Sequence, residues 1–217
     1  MRFRDRVDAG RALAESLQEY RGRDDVVVLA LPRGGVPVGF ELAHRLEVPL
    51  DVFLVRKLGV PGHEELAMGA IASGGVRVVN DTVVTELGLT DDDIARAAAT
   101  EGRELERREH LYREGRTPVD VRDRTVILVD DGLATGASMR AAARAVRELR
   151  PDRVVVAVPV AAGATCEELR TEVDDVVCVV TPEPFLSIGS WYEDFSQTGD
   201  DEVRRLLAQS APAEARR

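Results

Sequence analysis

The chain has 217 residues, enough for one ample domain with its own core and too few for two of ordinary size. Hydrophobic residues make up 44% and charged residues 31%, the balance of a soluble globular protein, and no apolar run approaches the roughly 20 residues that span a bilayer. The formal net charge of −10 argues against nucleic acid as a partner, because phosphate backbones demand a basic footprint.

The opening MRFRDRVDAGRALAESL is charged and helix-patterned and lacks the apolar core of a signal peptide, so a cytoplasmic location is expected. Next comes DVVVLAL (25–31), a helix near Pro37–Leu46, and PLDVFLV (49–55). A glycine-bearing stretch leads to LAMGAIA (66–72) and VRVVN (76–80). Residues 90–116 are strongly helical in propensity, with Thr90 and Asp93 in capping-box spacing and only a thin apolar stripe. The simplest reading of that segment is a solvated helix covering a sheet edge. TVILVD (125–130) then leads into Ala137–Leu149, DRVVVAVPV (152–160) into Ala164–Glu172, and DDVVCVV (174–180) closes the series. Continuous Val-rich strands separated by helices predict an α/β fold, a mostly parallel sheet with helices on both faces. A single domain over 1–208 is expected, with residues 209–217 as a frayed tail. Cys166 and Cys178 stand in no metal-ligand or redox spacing, and Cys178, inside VVCVV, reads as a small buried hydrophobe. His44, His63 and His110 form no ligand pattern.

In open parallel sheets, ligands bind beyond the carboxyl ends of the strands, where the strand order reverses. Two strand exits carry unusual chemistry. After Val129 come Asp130 and Asp131, then Gly132, Leu133, Ala134, Thr135, Gly136, Ala137 and Ser138. Small residues let backbone N–H groups approach an anion, the following helix adds its positive dipole end, and Thr135 and Ser138 supply hydroxyls. Carboxylates beside a phosphate cradle suit a sugar phosphate, and a position at the water-facing rim spares the acids desolvation. The other exit is LPRGGVPVG (31–39), where Arg33, Gly34 and Gly35 offer a cation and unobstructed backbone donors.

The thirteen positions from Val126 to Ser138 resemble the PRPP-binding motif of the type I phosphoribosyltransferases: an apolar strand, two acids, and a loop ending in Thr-Gly-x-Ser. Only Gly132, where a bulkier apolar residue is commoner, is off pattern. The RGG and DDGLATGAS pair also resembles a bacterial group of uncharacterised phosphoribosyltransferase-like proteins. The resemblance covers about 25–180. It implies a five-stranded sheet of order 3-2-1-4-5, a flexible loop, a helical insertion at about 90–116, and a C-terminal hood at about 181–208. It further implies transfer of a phosphoribosyl group from PRPP to a nitrogen acceptor, such as a nucleobase, with Mg²⁺ and release of pyrophosphate. Asp130 and Asp131 would hold the ribose hydroxyls and meet the metal indirectly, through PRPP and water. The Ala134–Ser138 turn would grip the 5′-phosphate, with Gly132 and Leu133 also in the substrate-binding loop. Arg33, with Gly34 and Gly35, would bind pyrophosphate across a loop whose peptide is often cis, a conformation a Gly-Gly step would ease.

In VRKLGVPGHEELAMGAIA (55–72), Lys57 is the preferred second pyrophosphate cation, while Glu64 and Glu65 read as an exposed hairpin tip. In the hood, Trp191 and Tyr192 either stack on a flat base or plug the gap between hood and core. Ala134 stands where 6-oxopurine enzymes of the family carry an acid, which points away from guanine and hypoxanthine. A homodimer is the general prior. Two rivals stand beside the transferase: a non-catalytic sensor of PRPP or nucleotide, and an unrelated α/β phosphatase or receiver domain using the two acids for Mg²⁺.

Overall fold

The computed structural model describes residues 2–210. Five parallel strands, β1 (Val26–Ala30), β2 (Leu50–Val52), β6 (Thr125–Val129), β7 (Arg153–Val160) and β8 (Asp175–Val180), form the central sheet in the order β2-β1-β6-β7-β8. β1 and β6 are buried at every residue, as continuous apolar runs in a doubly covered sheet must be. Alternate side chains of β1 serve opposite faces. Val26, Val28 and Ala30 pack with α1 (Arg6–Glu15), α2 (Gly35–Leu46) and α7 (Asp200–Ser210). Val27 and Leu29 pack with α5 (Ala137–Glu148) and α6 (Gly163–Leu169). No helix among the described residues is long and apolar enough to cross a membrane.

The fold class and the number of parallel strands are as expected, but the strand order is not. Counted along the chain, the five parallel strands run 2-1-3-4-5 rather than 3-2-1-4-5. The segments read as further strands, now β4 (His63–Ala72) and β5 (Val76–Val79), join β3 (Val55–Val60), part of the expected loop, in a separate antiparallel sheet, so β2 is left at the edge. The expected flexible loop is thus a hairpin turning at Pro61–Gly62, where Gly62 has a φ of 79° that favours glycine. Glu64 is exposed at its tip, and the Glu65 side chain lies outside the described residues. The order still reverses between β1 and β6, because β1 leads outward to β2 and β6 leads the other way to β7 and β8.

Two helices fill the connection to β6. α3 spans Asp81–Glu86, and α4 spans Asp91–Arg113 with the expected capping box between Thr90 and Asp93. α4 buries Ala98, Leu105 and Tyr112 against the main core. The hood is an irregular stretch followed by α7. It is tied to the N-terminus, since Phe3 N–H donates to the Trp191 carbonyl and Glu193 N–H to the Phe3 carbonyl, both at 2.8 Å. α7 runs to Ser210, so Gln209 and Ser210 belong to a helix rather than to the expected tail, whose remainder (211–217) lies outside the described residues. The cysteine reading is also corrected: Cys178 is half-buried and disulfide-bonded to Cys166 of α6.

Candidate active site

The two strand exits meet. A methyl group on Gly34 would lie 2.0 Å from Asp131 Oδ2, and one on Gly35 would lie 2.7 Å from the Val129 carbonyl oxygen. The glycines are therefore required by close approach: the carboxylate pair and the RGG turn share one rim of the sheet. The chain does contain a cis peptide in this turn, at Pro32–Arg33 rather than at the Gly34–Gly35 step.

The acids are not at a wet rim. Asp131 is only 9% exposed, and Asp130 keeps surface along a cavity of about 120 Å³ that it lines with Pro32, Arg56, Arg108 and Ser138. Burial, reinforced by the neighbouring Asp131 charge, pushes the Asp130 carboxyl well above its usual range. Burial also raises Asp131, and there the Arg6 guanidinium pulls the other way. Both Nε and Nη2 of Arg6 lie 2.8 Å from Asp131 Oδ2. Arg6 itself is held by the Ser196 carbonyl at 2.7 Å and by the Phe195 ring, 4.1 Å from guanidinium carbon to centroid. Sequence reading missed Arg6 altogether. One signal was present: an arginine at the first position of α1, the positive end of a helix dipole, is unfavourable unless an acid faces it.

Each carboxylate has one engaged oxygen. Asp130 Oδ1 accepts from the Asp131 N–H at 2.8 Å, and Asp131 Oδ2 takes both contacts from Arg6. Among the described residues, no hydrogen bond uses the second oxygen of either acid, which leaves two adjacent acceptors. Asp130 and Asp131 are too few to cage a metal, and no group of three ligating side chains exists among the described residues. They fit Mg²⁺ held chiefly by phosphate oxygens and water, the mode that ion prefers.

The loop after the acids is built to present backbone. Leu133 is anchored: its side chain is in the core, its N–H donates to the Val160 carbonyl at 2.9 Å, and its carbonyl accepts from Ala162 N–H at 3.0 Å. Leu133 is therefore a structural member of the loop, not a ligand-binding one. The Ala134 carbonyl accepts from Thr165 Oγ1 at 2.7 Å, and the Thr135 carbonyl from the Arg140 guanidinium. Gly136, at φ 68°, turns the chain into α5, whose first N–H groups have no carbonyl within the helix to meet. Ala134, Thr135, Ala137 and Ser138 are exposed around that helix end. Gly132 departs from the pattern for a visible reason, since a methyl there would sit 2.7 Å from Ile188 of the hood.

The cations are arranged differently from expectation. Arg33 leans toward α7, 3.8 Å from Asp200, which also accepts from Tyr112 Oη at 2.7 Å. Lys57 is exposed on β3 and lines a groove against α4, and it does not reach the cavity beside Asp130. Its neighbour Arg56 does, while pairing with Glu101 at 2.6 Å. In the hood, Tyr192 is 1% exposed and donates to the Asp131 carbonyl at 2.6 Å, so it plugs the gap and cannot stack on a base. Trp191 is half-buried against the same Phe3 cluster.

The sequence profile of the phosphoribosyl transferase domain family matches residues 3–199. The chain belongs to that family. Two Mycobacterium tuberculosis proteins, each described provisionally as a phosphoribosyl transferase, are 48% identical over 94% of this chain. The chain spans about half of their length, 46%. A Deinococcus radiodurans protein described as the bifunctional protein PyrR is 36% identical over 52% of this phosphoribosyl transferase chain and 57% of its own. The crystal structure of TT1426 from Thermus thermophilus shares 44% identity, covers 98% of this chain and all of its own, and superposes with a TM-score of 0.87.

Proposed function

We propose that this phosphoribosyl transferase domain moves the 5-phosphoribosyl group of PRPP to a nitrogen acceptor and releases pyrophosphate. The observation that carries the reading is the packing of Asp131 on Gly34, which joins the acid pair, the RGG turn and the start of α5 at the sheet's reversal point. The two remaining carboxylate oxygens accept from the vicinal ribose hydroxyls. The 134–138 turn and the α5 N-terminus hold the 5′-phosphate through backbone N–H groups and the Thr135 and Ser138 hydroxyls. Asp130 and Asp131 would help hold Mg²⁺ indirectly, through the donor and water, and the ion would supply positive charge to offset that on the leaving group.

In the reaction the anomeric C–O bond breaks, its electron pair leaves with pyrophosphate, and a C–N bond forms to the acceptor, whose N–H proton passes to solvent or the departing anion. The transition state carries positive charge on the sugar, and negative charge on the acid pair would stabilise it. The presence of Arg33 and Arg56 near the turn favours this transferase over a sensor, because binding a ribose phosphate alone needs no cations on the pyrophosphate side. Ala134 leaves no acid to read a 6-oxopurine, which directs the acceptor search elsewhere. Cytoplasmic residence and a homodimer complete the proposal.

The test is calorimetry of PRPP binding with Mg²⁺, followed by a screen of nucleobases and other nitrogen acceptors for Mg²⁺-dependent pyrophosphate release. Binding with turnover on one acceptor is the expected result. No PRPP binding, under any magnesium concentration, overturns the reading.

A further inference from the structure

We infer that α4 is part of the substrate site: Arg108 binds the pyrophosphate side of the donor, and Glu104 is the internal counter-anion that it gives up. The inference rests on the PRPP reading above and adds a residue from a segment whose sequence suggests only a solvated cover.

The helical repeat explains how α4 reaches the site. Glu101, Glu104, Arg108 and Tyr112, spaced by three and four residues, share one face. That face runs along the mouth of the site: Glu101 pairs with Arg56, Arg108 lines the cavity with Asp130 and Ser138, and Tyr112 meets Asp200 beside Arg33. Arg56 and Arg108 thus line one cavity, Arg33 follows its Pro32 wall in the chain, and each of the three is matched to a carboxylate of the same chain. The separations are 3.8 Å for Arg33–Asp200, 2.6 Å for Arg56–Glu101 and 2.7 Å for Arg108–Glu104. Arg33 and Arg108 both act on the Tyr112 phenol, pulling it down against burial and the Asp200 hydrogen bond, which still hold it up at about 12.

A carboxylate on an arginine occupies the place a phosphate oxygen takes, with the same acceptor geometry and less charge. The Arg108 side chain is 36% exposed, and ion pairs at that exposure contribute little, so exchange is easy. Glu104 is not orphaned when Arg108 leaves it, because Arg107 holds it independently through Nε at 2.7 Å and Nη2 at 3.0 Å. The two arginines together, Arg107 first, keep Glu104 ionised by holding its carboxyl down at about 2. Arg108 is thus the separable member of a three-residue cluster, parked beside the cavity that needs a cation.

The experiment measures binding of inorganic pyrophosphate and of ribose 5-phosphate, each with Mg²⁺, to the whole protein and to Arg108→Ala, Glu104→Gln and Arg170→Ala. Arg170, just beyond α6 and paired with Glu167, is the surface control. Arg108→Ala is expected to weaken pyrophosphate at least tenfold and leave ribose 5-phosphate within twofold. Glu104→Gln is expected to tighten pyrophosphate several-fold, and Arg170→Ala to change neither. Wild-type pyrophosphate affinity in Arg108→Ala, or equal loss of both ligands, overturns the inference while PRPP chemistry stands. A wild-type protein that binds neither ligand overturns the PRPP reading, and the inference with it.

Discussion

Replacing Gly34 by alanine tests the junction on which the site depends. The new methyl lands 2.0 Å from Asp131 Oδ2 and 2.7 Å from its Cγ, against about 3.3 Å for a close C–H···O contact, so the carboxylate must withdraw by roughly 1.3 Å. Both Arg6 contacts, at 2.8 Å, fall on that same oxygen and cannot follow it, because Ser196 and Phe195 fix the guanidinium. Breaking a buried pair outright costs about 3–5 kcal/mol, and residual solvation of Arg6 lowers this to about 2–3 kcal/mol. For a chain of this size that corresponds to a fall of about 4–12 °C in Tm. PRPP affinity with Mg²⁺ should fall at least tenfold, because the displaced acid no longer faces the ribose. Gly35→Ala meets backbone instead, the Val129 carbonyl at 2.7 Å and Asp130 Cα at 3.0 Å, and should destabilise at least as much. Gly163→Ala, with nothing within 4 Å of its methyl, is the control. Scanning fluorimetry and calorimetry read both quantities; a Gly34→Ala protein with wild-type melting and wild-type PRPP binding would refute the packing argument.

Asp130→Asn should raise stability at neutral pH while abolishing turnover. The folded-state pKa of Asp130 lies above its ordinary 3.8, so below that value both states hold the proton and burial carries no ionic cost. As pH rises from there through the raised folded value, the unfolded chain releases its proton first and the native state loses stability. The Asn carbonyl keeps the bond from Asp131 N–H, so Tm should exceed wild type by a few degrees at pH 7 and converge with it in acid; equal Tm at both pH values would contradict the burial assignment. Tyr192→Phe removes the donor to the buried Asp131 carbonyl and should cost about 1–3 kcal/mol, a drop of about 2–12 °C in Tm. An unchanged melting curve would show that the hood does not brace the acids.

What the sequence made legible was local. Val-rich runs in β1, β6 and β7 announce a doubly covered parallel sheet, and VDDGLATGAS places acids, turn and helix start within one stretch of chain. What it concealed was long-range or depended on which way a side chain faces. Arg6 meets Asp131 across 125 positions, and nothing near either residue names the other. Arg56 and Lys57 are neighbours on a strand and both line the groove against α4, and only the tertiary packing that pairs Arg56 with Glu101 shows which of them also reaches the cavity beside Asp130. The strand order turned on whether residues 55–72 join the parallel sheet or fold back as a hairpin, a choice that Val and Ala runs satisfy equally well.

The two adjacent acids mark the point where sequence consistency gives way to function. A fold selected for stability alone would not bury Asp130 beside Asp131, whose charge adds to the cost of ionising it. The chain relieves only part of that cost. Arg6 compensates Asp131, and no cation among the described residues is hydrogen-bonded to Asp130, which instead opens onto a cavity bordered by Arg56 and Arg108. Had a second arginine closed on Asp130, the pair would be comfortable and both acids would be occupied. On the proposed reading, leaving one acid uncompensated keeps an acceptor oxygen and a charge deficit where the hydroxyls and magnesium of the donor would be met. Donor binding would then stabilise the fold at this buried acid pair.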